Sequence, residues 1–240
     1  MSDQASNIKP TATFTPAPSG PSFLEKNKKK ILLAVAAVGL IIGGWYLYKI
    51  YKASQEEKAN DASFQAVRAF DGMANSGYNK DSIDLVIKGG NFDGSKITGL
   101  LDFVKKHDGT QQANLAKYAL GCCYLNTKSY DEAIKYLKAF DAGDALQVKS
   151  RTLLMLGHAY AGKNQVSEAM NHYKLATEAS PKDEVMTADA LYWLANYQEA
   201  NNNSAEAIAN FKKLRNEYPN YQFVQTKEVD KRLARFGELN

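Results

Sequence analysis

The chain has 240 residues, 45% hydrophobic and 23% charged, enough apolar material for one or two packed domains. Its formal net charge of +4 is uneven: residues 1–52 carry seven lysines against Asp3 and Glu25, whereas the remainder carries 23 basic and 24 acidic residues. The larger part therefore has no basic excess to attract nucleic acid, and two adjacent cysteines, Cys122 and Cys123, provide no disulfide framework and are expected as buried apolar residues on a helix.

Residues 1–25 are rich in Ser, Thr, Pro and Ala and poor in large apolar groups. Such a segment buries too little surface to offset its ordering entropy, so a disordered tail is expected. Residues 26–52 are expected to form a transmembrane anchor with a basic flank. Ile31–Tyr48 contains no charge over 18 residues, a helix of roughly 27 Å against a bilayer core of about 30 Å. Ile31, Leu32, Leu33, Leu40, Ile41, Ile42 and Trp45 are its lipid-facing candidates, and Trp45, Tyr46, Tyr48 and Tyr51 cluster where amphipathic rings favour the headgroups. A cleaved signal peptide would have a shorter apolar core and small residues after it. Lys26, Lys28, Lys29 and Lys30 crowd the N-terminal side, while Lys49 and Lys52 flank the other. The positive-inside rule then places the N-terminus in the cytoplasm and the C-terminal domain across the membrane. Gly39 and Gly43 have the spacing of a helix-packing motif.

Residues 53–113 are expected as a helical lead-in with a degenerate repeat: a helix over 53–74 with Phe64, Val67, Phe70 and Ala74 on its apolar side, then helices near 80–89 and 95–107. Between these two, Gly89-Gly90-Asn91-Phe92-Asp93-Gly94-Ser95-Lys96 imitates a phosphate-binding loop. Ser and Lys stand in the wrong order for that motif, so a turn is expected.

Residues 114–221 show an internal repeat, the first thing to seek in such a chain. Leu156, Gly157, Tyr160, Ala169, Tyr173, Ala176 and Pro181 fit the tetratricopeptide pattern. In phase upstream stand Leu120, Gly121, Tyr124, Ala133, Leu137 and Phe140; downstream stand Leu194, Ala195, Gln198, Ala207, Phe211, Leu214 and Pro219. The small position recurs at 121, 157 and 195, giving spacings of 36 and 38 against a family period of about 34. Two helices crossing closely require small residues there, and Pro181 and Pro219 stop helices. Residues 222–240 supply a capping helix, with Val229, Leu233 and Phe236 at helical spacing. The fold class is thus all-α: one N-terminal transmembrane helix followed by a tetratricopeptide-repeat helical solenoid.

The concave face of such an array is the expected partner-binding groove, with Tyr118, Cys122, Arg151, His158, Tyr192 and Asn196 as its candidate residues. Tyr118, Cys122 and Asp189 stand where a chaperone-tail carboxylate clamp places basic or amide groups, so no such clamp is expected. His107, His158 and His172 form no Cys/His cluster, and no nucleophile elbow or paired carboxylate is evident. No catalytic residue, metal, cofactor, nucleic acid or small-molecule substrate is therefore expected.

The tail, anchor, lead-in and repeats, together with Gln112–Gly121 and Asp81-Ser82-Ile83-Asp84-Leu85, resemble the YfgM-like family in its Bacteroidota form. These are tetratricopeptide-repeat ancillary subunits of the bacterial Sec translocon. The resemblance covers residues 25–240. It implies a single-pass protein of the bacterial inner membrane, partnered by lipid, by Sec translocon subunits and by a PpiD-like periplasmic chaperone, and assisting protein export. A membrane-anchored scaffold for another cell-envelope or secretion complex is the alternative.

Overall fold

The computed structural model describes residues 23–92 and 94–238. The expected disordered tail falls mostly outside them, as does Asp93. Two compact units divide at Tyr51 and Lys52.

In the first unit, helix α1 (Phe23–Ser76) begins, and its apolar stretch has no protein neighbour. Leu32, Leu33, Leu40, Ile41, Ile42 and Trp45 are all largely exposed, and Ile31 is exposed to a lesser degree. A core helix of a soluble domain would bury such a stripe; none of this window is buried. By length and composition the helix is long and apolar enough to cross a membrane. Lys49 lies over the Trp45 ring, 5.5 Å from its centroid.

In the second unit, the C-terminal part of α1 packs through small residues. Ala59, Ser63, Ala66, Ala69 and Met73 are buried at spacings of three and four, one face of a helix. This corrects the apolar side expected from sequence: Phe64 is 61% exposed and Val67 39%, Phe70 is half-buried, and the Ala74 side chain lies outside the described residues. The reason is close approach, which small side chains permit and Phe64 does not. The approach is fixed by polar contacts to helix α4 (Gln111–Asn126). Both Glu56 carboxylate oxygens accept from the Gln111 amide at 2.9 Å, and Gln112 Nε2 donates to Asn60 Oδ1 at 3.2 Å. A carboxylate at a helix N-terminus answers both the unpaired amides and the macrodipole.

Helix α2 (Lys80–Lys88) follows, capped by Asn79, whose side chain accepts from the Ser82 amide at 2.8 Å. The segment expected as a turn is an antiparallel hairpin, β1 (Gly89–Phe92) with β2 (Ser95–Thr98), paired from Gly89 opposite Thr98 to Phe92 opposite Ser95. The helix expected from residue 95 therefore starts later, as α3 (Leu100–Lys106). Two local facts account for the difference. Gly94 has a φ of +76°, suited to a tight turn, and Ile97 alternates inward to be buried. A Cβ on Gly99 would collide with the backbone of Ile87, Lys88 and Gly89, so the helix cannot begin before this crossing is complete.

Three hairpins follow: α4 with α5 (Tyr130–Ala139), α6 (Leu146–Gly162) with α7 (Val166–Ala179), and α8 (Glu184–Ala200) with α9 (Ser204–Glu217). Their turns are built alike. Lys128, Asn164 and Asn202 adopt left-handed φ of 59°, 57° and 61°. The next amide closes each turn onto the first helix: Ser129 to the Tyr124 carbonyl, Gln165 to Tyr160 and Asn203 to Gln198, at 2.9–3.0 Å. Ala133, Ala169, Ala195 and Ala207 have no exposed surface. α7 and α9 end two residues before Pro181 and Pro219.

The expected single capping helix is two pieces, α10 (Gln222–Gln225) and α11 (Glu228–Arg235), broken by Lys227 at φ +61°. The break lets Phe223 turn onto Tyr192, with ring centroids 4.2 Å apart, while Val229 and Leu233 are buried in the cluster that also holds Phe211 and Leu214.

A Cβ on Gly157 would lie 2.5 Å from the Tyr173 ring, whereas one on Gly72 meets nothing within 4 Å. Gly157→Ala is therefore expected to cost about 1–3 kcal/mol, and Gly72→Ala to stabilise by about 0.5–1 kcal/mol. Denaturant unfolding, followed through the reaction of Cys122 and Cys123 with a thiol reagent, checks the opposite signs.

Candidate functional site

The first helices of the hairpins bring their matching positions to one face. Tyr118 and Cys122 from α4, Arg151, Met155 and His158 from α6, and Trp193 from α8 line a cavity of about 440 Å³, closed on the lead-in side by Phe70 and Tyr78. A second cavity of about 520 Å³ adjoins it, walled by Leu115, Phe140, Val148, Val185 and Met186 and sharing Tyr118 and Arg151. Leu115, Val148 and Val185 are exposed apolar residues there.

Of the six residues expected in the groove, Tyr118, Cys122, Arg151 and His158 come together. Tyr192 does not join them. It is 6% exposed and packs among Phe211, Tyr221 and Phe223. Asn196 turns its amide back onto the Tyr192 carbonyl, at 2.7 Å. The C-terminal cap explains the first. Phe223 covers Tyr192, and Arg232 pairs with Glu199 at 2.9 Å, so the cap occupies the third repeat's share of the concave face. In its place Trp193, 39% exposed, meets the His158 ring edge to face at 4.8 Å. Met155 and Trp193 both stand two residues before the small position of their repeats, at Gly157 and Ala195. That shared offset is the signal by which sequence reasoning could have found them; Tyr78 and Phe70 have no such register.

Among its aromatic and apolar walls the groove carries three charged side chains, Arg151, Asp183 and Asp189. Burial raises the Tyr118 hydroxyl to about 12 and the Cys122 thiol to about 11, so neither ionises near neutrality. The Cys122 sulfur rests 4.0 Å from that of Met155. His158 is pushed below its ordinary value by burial, opposed by Asp189, and its Nδ1 shares a 2.8 Å hydrogen bond with the Tyr173 hydroxyl. A protonated, buried thiol resting against a thioether is packed and not activated as a nucleophile. Among the described residues, no group of three His, Cys, Asp or Glu side chains is placed to hold a metal.

Family models described as tetratricopeptide repeat match residues 116–140 and 150–183, and another matches 189–221. Three tetratricopeptide repeats thus run through residues 116–221. The matched stretches coincide with the three hairpins, and such repeats serve protein–protein interaction. No curated protein matches the chain.

Because the folded pKa of His158 is depressed, the unfolded chain takes up the proton first as pH falls. The stability His158 allows is complete above about 6.5 and is lost as pH drops through and below that value. His107 and His172 are also lowered, chiefly by burial, so the difference between wild type and His158→Gln isolates its share. In a Trp45→Phe background, Trp193 fluorescence is expected to titrate with a midpoint below about 6.5 and His158→Gln to abolish that transition. A flat profile in the parent would contradict the burial.

Proposed function

We propose that this chain is a non-catalytic, single-pass subunit of the bacterial inner membrane, its repeats facing the periplasm. There it associates with the Sec translocon, binds a PpiD-like chaperone through the groove, and assists export of translocated proteins. The observation that carries the reading is the pairing of two features in one chain. An unburied apolar helix follows four lysines, and a repeat domain carries an open groove walled by Tyr118, Arg151, His158 and Trp193. A solenoid groove with aromatic walls and few charges suits a protein segment, because aromatic and Arg side chains dominate such contacts. The lysines favour the N-terminus inside, which leaves the repeats outside the cytoplasm. The resemblance to the YfgM-like family supplies the translocon and the chaperone as partners.

The test is a mild-detergent pull-down of the tagged protein from its native membrane, with mass spectrometry of what accompanies it. Sec subunits and a PpiD-like chaperone are expected with wild type. Tyr118→Ala with Trp193→Ala should lose the chaperone while a reporter fused after Asn240 still reads periplasmic. Another envelope complex in their place would move the function to a scaffold of that complex, and a cytoplasmic reporter would sink the export reading.

A further inference from the structure

The groove has one cation, Arg151, and two carboxylates, Asp189 lining one cavity and Asp183 the other, but neither carboxylate pairs with it. Arg151 lines both cavities and enters no ion pair among the described residues. Tyr118 and Cys122, whose titration it influences, stay protonated and give it no counter-charge. The carboxylates along the same face are engaged elsewhere. Asp189 accepts from the Tyr221 hydroxyl at 2.8 Å. Asp183 caps α8 by accepting from the Met186 amide at 2.9 Å, and it also takes the Gln147 side-chain amide. Asp71 is likewise partnered within the chain.

Position adds what charge alone does not. Arg151 and Tyr118 are the two residues common to both cavities, so the guanidinium stands between two apolar chambers. One chamber is walled by Trp193, Leu154 and Met155, the other by Leu115, Val148 and Val185. A chain terminus seated on Arg151 would leave one chamber empty. A terminal carboxylate would also be held by a single cation, since His158 is neutral and no Lys lines either chamber.

We propose that the groove binds an extended protein segment in which one internal Asp or Glu, paired with Arg151, is flanked on both sides by large apolar or aromatic side chains. A guanidinium and a carboxylate can form two parallel hydrogen bonds, and the aromatic walls limit water's access to them. The two apolar chambers supply area and Arg151 supplies register, because a segment shifted by one residue would bring an apolar group to the cation. The inference rests on the groove being a partner-binding site.

The full chain in lipid nanodiscs would be titrated into fluorescein-labelled peptides, acetylated and amidated, of the pattern Leu-Phe-Glu-Leu-Phe, with Gln and Lys versions. By fluorescence anisotropy, the Glu peptide is expected to bind about ten-fold tighter than the Gln peptide. Arg151→Gln should abolish that preference, and Arg151→Glu should transfer it to the Lys peptide. Arg151 is exposed, so these variants should keep the helical circular dichroism of wild type. Tyr118→Ala should weaken all three peptides alike. Equal binding of Glu and Gln peptides, or a preference that survives Arg151→Gln, would overturn the pairing and leave the groove reading standing. Binding only by a version with a free C-terminal carboxylate would overturn the internal position. Binding by none of them would count against the groove itself.

Discussion

Everything in the repeat domain depends on how closely the two helices of each hairpin cross. At Gly157 the missing Cβ is replaced by the face of Tyr173, and at Gly121 by the side chain of Leu137. Across from them, Ala133, Ala169 and Ala207 have no exposed surface at all. A small residue on each side brings the backbones near enough for the large residues, Leu137, Tyr173 and Phe211, to be fully wrapped. The same crossing fixes the angle at which the first helices stand side by side. The groove is thus a consequence of packing: the first helices, held side by side, bring Tyr118, Cys122, Arg151, Met155, His158 and Trp193 to one face.

The ends of the solenoid decide how much of that groove survives. An array of repeats always has an unsatisfied last face, and something must cover it. Here α10 and α11 cover it from the concave side, with Phe223 on Tyr192 and Arg232 on Glu199. That closes the third repeat's contribution and leaves Trp193 at the boundary. At the other end the lead-in joins the first repeat by a different device, small residues of α1 set against α4, with Glu56 on the α4 N-terminus. This cover leaves Phe70 and Tyr78 at the rim. The groove is therefore two repeats wide and centred on α6, the helix that carries Arg151 and His158.

The same reasoning explains what the sequence disclosed. Seven in-phase positions name the repeat, because its crossing tolerates few side chains; the hairpins fall where those positions put them. Charge-free Ile31–Tyr48 is equally legible. The groove was readable where neighbouring repeats repeat the geometry, at Tyr118, Cys122, Arg151 and His158. It was not readable at Tyr192, whose burial comes from a cap whose break at Lys227 is a tertiary choice, nor at Asn196, whose side chain turns back onto its own helix. The buried face of α1 differs from the apolar stripe of its sequence for a related reason. Periodicity gives the direction of a helix's apolar stripe when large residues are inside, whereas here Ala59, Ala66 and Ala69 are inside and Phe64 is out. The β-hairpin escaped because its glycines signal a turn without saying how long the flanking strands are.

A single cation in a largely apolar groove says something about selectivity that a more highly charged groove would not. Charges arrayed along a solenoid read a charged tail by sum, and many tails satisfy a sum. Arg151 has no ion-pair partner, whereas Asp183 and Asp189, which also line the groove, are hydrogen-bonded within the chain, so pairing with Arg151 specifies one position along a bound segment. The rest is read by shape, through Trp193, Met155, Val148 and Val185. Apolar fit alone discriminates weakly between large side chains. The penalty for burying an unmatched guanidinium against a misplaced apolar group is larger. In such a site the charge contributes less to the strength of binding than to the choice of register.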